Sequence, residues 1–249
     1  MPAPSPSFDI AGRVAVVTGG YGVLGGSIAS GLAAANAKVA ILGRRRDAAE
    51  AHAAQIRQHG GEAMVLVADA LDEPQLTAAR SEVLRAWGRV DILVNAAGGN
   101  VARARSDARS IFEVPMDAFE EALRLNLHGT VIPTMVFGEA MAERGGGSGC
   151  VLNISSMAAI RVLSGVLAYS IAKSGIDSFT RWMAVELARK HGDGFRVNAI
   201  APGFFVSEQN RAVLINADGS FTERARTIVK QTPMGRFGRP EELLGAVQW

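Results

Sequence analysis

From residue 14 onward, short apolar runs alternate with stretches whose apolar residues recur every three or four positions. The runs at 14–18, 38–42, 63–68 and 91–94 are rich in Val, Ile and Leu. They lack the polar alternation of a half-exposed strand, so they predict strands buried on both faces. Between them, 23–35, 47–59 and 72–87 predict helices. Asp72-Glu-Pro-Gln75 predicts a capping box with proline in the first turn. A long helical region over 116–143 should end at Gly145-Gly-Gly-Ser-Gly149. Strands at 151–154 and 196–200 then flank a helix over 168–190. Buried strands alternating with helices predict an α/β fold, a doubly wound parallel sheet with helices on both faces. Its ligand-binding turns should lie at the carboxyl ends of the strands.

Length adds that one core suffices: 249 residues with no internal linker predict a single dinucleotide-binding catalytic domain over 8–249. Three prolines within Met1-Pro-Ala-Pro-Ser-Pro-Ser7 predict a disordered leader over 1–7, and that stretch lacks the pattern of a signal peptide. A net charge of +2 argues for neither nucleic acid nor a membrane surface as partner. No apolar stretch is long enough to span a bilayer. Cys150, the only cysteine, excludes an intrachain disulfide and favours a cytoplasmic setting. Its place in a strand predicts a small buried residue. His52, His59, His128 and His191 show no metal-ligand spacing, so no metal is assigned.

Candidate chemistry begins with Thr18-Gly-Gly-Tyr-Gly-Val-Leu-Gly25, the turn from the first strand into the first helix. Glycines there let the backbone approach a pyrophosphate at the helix N-terminus, through Gly19, Gly22, Val23 and Leu24. Tyr21, which has no lysine partner, is expected to touch the cofactor. The second strand runs into Arg44-Arg45-Arg46, with no acidic residue to receive ribose hydroxyls. Arginines suit a 2′-phosphate, so NADP is preferred as cofactor, with NAD the alternative. In Tyr169-Ser-Ile-Ala-Lys173, residues four apart on a helix share a face. The Lys173 ammonium is expected to lower the Tyr169 pKa and so make a general acid/base. With two tyrosines and four lysines in the chain, this spacing arises by accident only about 0.03 times.

From residue 8 the chain resembles the short-chain dehydrogenase/reductase family. The residues that carry the resemblance are the 18–25 turn, Asp69, Asn95-Ala-Ala-Gly98, Asn126, Ser156, Tyr169, Lys173 and Pro202-Gly203. The resemblance implies a Rossmann-like sheet and a reaction that interconverts a secondary alcohol and a ketone. It implies that Asp69 and Ala70 border the adenine. Asn95, Ala97 and Gly98 would support the central strand and nicotinamide ribose, and Pro202, Gly203 and Phe205 would flank the nicotinamide. Ser156 would bond the substrate oxygen, Tyr169 would move the proton, and Lys173 would bind the ribose. Asn126 would hold a relay water; the spacing to Tyr169 favours Ser156 over Ser155. Members usually carry glycine where this chain has Val23, so the turn is expected to follow a different local path. Members also continue into a further edge strand and assemble as homodimers or homotetramers. The end at Trp249 therefore suggests a missing last edge strand, with a weakened fold or altered assembly.

The same resemblance implies a mobile lid over about 204–233. Its polar residues Gln209, Asn210 and Arg211, together with Asn100 and Arg161, are candidate contacts for a small hydroxylated or acidic substrate. Ala97-Gly-Gly-Asn100, Gly203-Phe-Phe205, Glu208-Gln-Asn-Arg211 and Pro233-Met-Gly-Arg-Phe-Gly238 resemble the branch named for D-mannonate oxidoreductase. That branch implies D-mannonate and D-fructuronate as the substrate pair. Two alternatives stay open: a 3-oxoacyl carrier-protein reductase, and a nucleotide-binding regulator without turnover. The regulator's contact loop would be Arg103-Ala-Arg105-Ser-Asp-Ala-Arg109, otherwise read as solvated.

Overall fold

The computed structural model describes residues 8–143 and 147–249. The expected leader and the first residues of the 145–149 glycine stop lie outside them, as does the side chain of Gln209. In chain order the main elements are β1 (Val14–Thr18), α1 (Val23–Ala34), β2 (Lys38–Gly43), α2 (Arg46–Gln58), β3 (Glu62–Val67), α3 (Glu73–Trp87) and β4 (Ile92–Asn95). There follow α4 (Met116–Leu123), a π-turn (Arg124–His128), α5 (Gly129–Glu143), β5 (Ser148–Ile154), α6 (Leu167–His191) and β6 (Gly194–Ile200). The last are α7 (Glu208–Leu214), α8 (Glu223–Gln231) and α9 (Leu244–Gln248).

Among the described residues six strands form one parallel sheet, in the order β3-β2-β1-β4-β5-β6. Alternate residues of each strand face opposite layers. Val14, Val16, Leu42 and Leu93 pack with Leu76, Val83, Phe137 and Met141 of α3 and α5. Ala15, Val17, Ile41 and Val94 pack with Ile28, Leu32 and Ile56 of α1 and α2. Each such side chain, fully buried, contributes roughly 1.5–3 kcal/mol, which is why the strands read as continuous apolar runs. The order reverses between β1 and β4, and register places Thr18 beside Asn95 and Asn95 beside Asn153. Three strand ends therefore open together at the switch point, where such sheets bind ligands.

Several boundaries move. The 116–143 region is two helices joined by the π-turn, and the strands of 151–154 and 196–200 begin earlier. Asp72 caps α3 by accepting from Gln75 N at 2.9 Å, but the Gln75 side chain accepts from Asp69 N rather than Asp72 N, so only half of the capping box forms. β6 pairs only with β5 and forms the sheet edge among the described residues. The chain then returns to the core through α9, where Leu244 packs so closely on α1 that a Cβ at Gly31 would lie 2.4 Å from it. Cys150 is only partly exposed, and burial pushes its thiol pKa up. Among the described residues, no helix is long and apolar enough to cross a membrane.

Candidate active site

At the end of β1 the Thr18 hydroxyl accepts hydrogen bonds from Ala96 N and Ala97 N, both at 3.1 Å, and so joins the exits of β1 and β4. Gly19 follows at φ +62°, where a side chain would be strained and its Cβ would lie 3.0 Å from Ala96 O. A Cβ on Gly25 would lie 2.3 Å from Gly19 O, so glycine alone lets α1 sit this close to the turn. Gly22 caps α1 without a side-chain bond, and the first turn carries no acidic residue. The leading amides and the helix dipole thus face the cavity without an internal anion, as a pyrophosphate site requires. Val23 is the first helical residue, and Gly22 has φ −76°. The turn needs no positive φ at either position, so valine forces no unusual path.

At the end of β2 the Arg45 guanidinium lies over the Tyr21 ring, 4.9 Å from its centroid, and Arg45 N donates to the Tyr21 hydroxyl at 3.3 Å. The ring rests on Gly43, where a Cβ would come within 2.3 Å. Arg44 turns away to pair with Asp69 at 3.6 Å. Tyr21 and Arg45 line a cavity of about 530 Å³, and Arg44 does not.

The opposite wall comes from the exits of β4 and β5 and from α6. Asn95 Nδ2 donates to Thr134 Oγ1 and Asn153 Oδ1, and Asn153 Nδ2 donates to Thr180 Oγ1, all at 2.9 Å. This buried chain fixes α5 and α6 to the central strands. Ser156 leaves β5 with extended backbone, and its Oγ accepts from Ala158 N at 3.1 Å. Ser156 lies close enough to Tyr169, in the first turn of α6, to favour its ionised form, whereas neighbouring Ser155 is buried with no partner for its hydroxyl among the described residues. One helical turn on, Lys173 Nζ lies 5.4 Å from the Tyr169 ring centroid and donates to Ile154 O at 2.6 Å. Asn126, in the π-turn, donates from Nδ2 to Gly99 O and Ala122 O and accepts at Oδ1 from Gly99 N. Both of its side-chain donors are engaged, so a relay water would have to donate to Asn126, at Oδ1 or at the backbone carbonyl. A Cβ on Gly98 would lie 2.7 Å from Asn126 Oδ1 and 3.8 Å from Lys173 Nζ, which ties the three together.

The expected lowering of the Tyr169 pKa is not what this geometry produces. Burial pushes it up, and Ser156 only partly offsets that. The reason lies in Lys173, whose ammonium is directed at a backbone carbonyl and whose own pKa burial brings down to about 8, with Asp177 opposing.

Gly19, Tyr21, Gly22, Val23, Leu24, Arg45, Gly98, Asn100, Ser156, Tyr169, Lys173, Pro202, Gly203, Phe205 and Asn210 all line the cavity. Asn126, Asn95, Ala97, Asp69, Ala70 and Arg44 stand behind or beside its wall. Arg161 is exposed on the turn after β5, and Arg211 is exposed on α7; neither reaches the wall. Asn210 reaches it while capping α7, through Oδ1 to Ser207 N and Nδ2 to Phe205 O. The segment expected to form a lid is a hairpin of α7 and α8, joined by an Ile215–Phe221 bridge and by Thr222 N donating to Leu214 O. Arg105, expected in a solvated or partner-contacting loop, and Arg224, which no sequence motif singles out, also line the cavity. The only local sign of Arg105 was the basic loop that holds it.

The sequence profile of the short chain dehydrogenase family matches residues 13–217. An uncharacterised oxidoreductase of Bacillus subtilis, UxuB, is 42% identical over 97% of this chain and 88% of its own length. A crystal structure of a candidate D-mannonate oxidoreductase from Haemophilus influenza, with bound NAD, is 38% identical and superposes with a TM-score of 0.89 over 96% of this chain and 88% of that one. A candidate NAD(P)-dependent gluconate 5-dehydrogenase from Beutenbergia cavernae, with NADP at low occupancy, is 37% identical with a TM-score of 0.83 over 97% and 90%. With the glycine turn, the parallel sheet and the Tyr169–Lys173 helix in place, these matches make the chain an NAD(P)-dependent oxidoreductase of the short-chain dehydrogenase/reductase family.

Proposed function

We propose that the protein interconverts a secondary alcohol and a ketone on a sugar acid, of which D-mannonate and D-fructuronate are the leading pair. The observation that carries this reading is the convergence of Ser156, Tyr169 and Lys173 on one cavity that Arg105 and Arg224 also line. A bound nicotinamide cofactor supplies or accepts the hydride. The Ser156 hydroxyl positions the substrate oxygen, and Tyr169 donates its proton to the forming alkoxide or withdraws it in the reverse direction. Because burial keeps the Tyr169 phenol protonated at neutral pH, ketone reduction is the direction its resting state is ready for. Lys173 holds the ribose and supplies positive charge beside the phenol. Asn126 holds Gly98 and Gly99 against that lysine.

NADP is the preferred cofactor in this reading, with NAD the alternative, since the end of β2 offers Arg44 and Arg45 and no carboxylate of its own. The relatives crystallised with NAD and with NADP leave room for both. Exposed Met135 on α5 and Trp182 and Val185 on α6 support assembly as a homodimer or homotetramer. The test is reduction of D-fructuronate by purified protein with NADPH and with NADH, set beside an acetoacetyl thioester. Faster turnover of the thioester would transfer the assignment to a 3-oxoacyl reductase.

A further inference from the structure

Arg105, on the loop between β4 and α4, donates from Nε to Asp107 Oδ2 at 2.7 Å. Arg224, on α8, donates from Nη1 to Asp107 Oδ1 at 2.8 Å. Both arginines line the cavity that Ser156 and Tyr169 line, while Asp107 is not part of its lining. One carboxylate cannot neutralise two guanidinium groups, so one positive charge stays on the wall. Among the described residues, the terminal amino groups of Arg105 and the second amino group of Arg224 have no hydrogen-bond partner. Planar, in-plane donors of this kind match the two oxygens of a carboxylate.

We propose that Arg105 and Arg224, set side by side by Asp107, form the carboxylate-binding end of the substrate cavity. The proposal rests on the sugar-acid reading and names where that acid's charge is held. It replaces Arg161 and Arg211, which are exposed and off the wall. Position supports it. Ser106 N donates to Gly165 O at 3.1 Å, and Gly165, at φ +78°, packs so tightly that a Cβ there would lie 2.5 Å from Asp107 Oδ1. Gly165 lies just before the helix that carries Tyr169, so a short, tightly packed stretch sets the clamp's distance from the reacting centre. The remaining charges on the wall are Arg45 at the cofactor end, Lys173 beneath the tyrosine, and Glu208 on the lid. Arg105, foremost, and then Arg224 hold the Asp107 carboxyl below the usual carboxylate range, so it stays ionised and keeps both arginines in place. Since Arg224 belongs to the lid, an anion held between the arginines also seats α8.

Asp107 and the arginines could instead serve only as a lid fastening, and turnover of matched substrates separates the two roles. Purified full-length protein at saturating cofactor is assayed on D-mannonate and on neutral D-mannonamide. The wild type should favour the acid; absence of that preference would remove the sugar-acid reading before any variant is made. Arg224→Gln and Arg105→Gln should each raise KM for the acid about tenfold or more and bring the acid-over-amide preference toward unity, with Arg224→Lys retaining part of it. Equal losses on acid and amide, or an unchanged preference, would overturn the clamp. If either variant fails to fold, wild-type protein answers alone. Phenylglyoxal labelling of Arg105 and Arg224, mapped by peptide mass, should be slowed by D-mannonate and not by D-mannitol. Equal labelling under both would overturn the proposal.

Discussion

The cavity wall made by β1, β4, β5 and α6 is set into the core, whereas the wall made by α7 and α8 stands on a thin satellite. In the first, Thr18, Asn95, Asn126 and Asn153 are at most 1% exposed and bonded to neighbouring elements. In the second, Leu214 and Ala225 are the only buried side chains among the described residues from 204 to 233, and polar bonds and ion pairs do the joining. A core-anchored wall holds reacting groups at fixed separations, which general acid catalysis needs. A lightly anchored wall can open, admit a substrate and be re-specified without disturbing the sheet. On the proposed reading, reaction type and substrate choice would sit on parts of the molecule that are anchored differently.

The sharpest break of that comparison is Tyr169→Phe, which should cut turnover about a thousandfold with the circular dichroism spectrum and melting curve retained. A loss under tenfold would move the acid elsewhere. Lys173→Met should also abolish turnover, and it carries a second signature. Burial holds Lys173 at about 8 against an ordinary 10.5, so between those values the folded state binds fewer protons than the unfolded chain. This residue therefore makes the wild type more stable as pH rises through that window, by up to about 3 kcal/mol. Denaturant titrations from pH 7 to 10.5 should show the variant losing that rise; an identical slope would clear the ammonium of responsibility. Next in size, Gly25→Ala should weaken cofactor binding and cost about 1–3 kcal/mol, because the new methyl meets Gly19 O and α1 must retreat. Isothermal titration with NADPH reads the first effect and chemical unfolding the second. The smallest effect belongs to the satellite: Thr222→Ala removes the α8 cap and a bond to Val213 O, worth about 1 kcal/mol. Hydrogen exchange should quicken in α7 and α8 alone, and global acceleration would contradict the division.

Much of the core wall was legible in the sequence because its signals are local. Apolar runs mark the strands, and Tyr169 and Lys173 meet because helical spacing brings them together. The early starts of β5 and β6 were not legible. Ser148, Gly149 and Gly194 lack strand-like side chains and join the ladder only because their partners stand opposite. The π-turn was hidden for a related reason: Leu125 and Leu127 continue an ordinary apolar pattern through it. The direction of the Tyr169 pKa was not legible because spacing reports proximity and not desolvation, and burial, opposed only by Ser156, raises it. Arg105 and Arg224 were out of reach, since the bond from Arg224 to Asp107 spans 117 positions and depends on where the lid settles.

The bare α-carbon of Gly43 has a practical consequence. Any side chain there would evict the Tyr21 ring, and with it the platform on which Arg45 lies. An engineer who wishes to retune nucleotide choice by exchanging Arg45 alone would leave an aromatic plate shaped for a guanidinium. Positions 21, 43 and 45 form one design unit, and a library that varies them together should find working combinations that single exchanges miss.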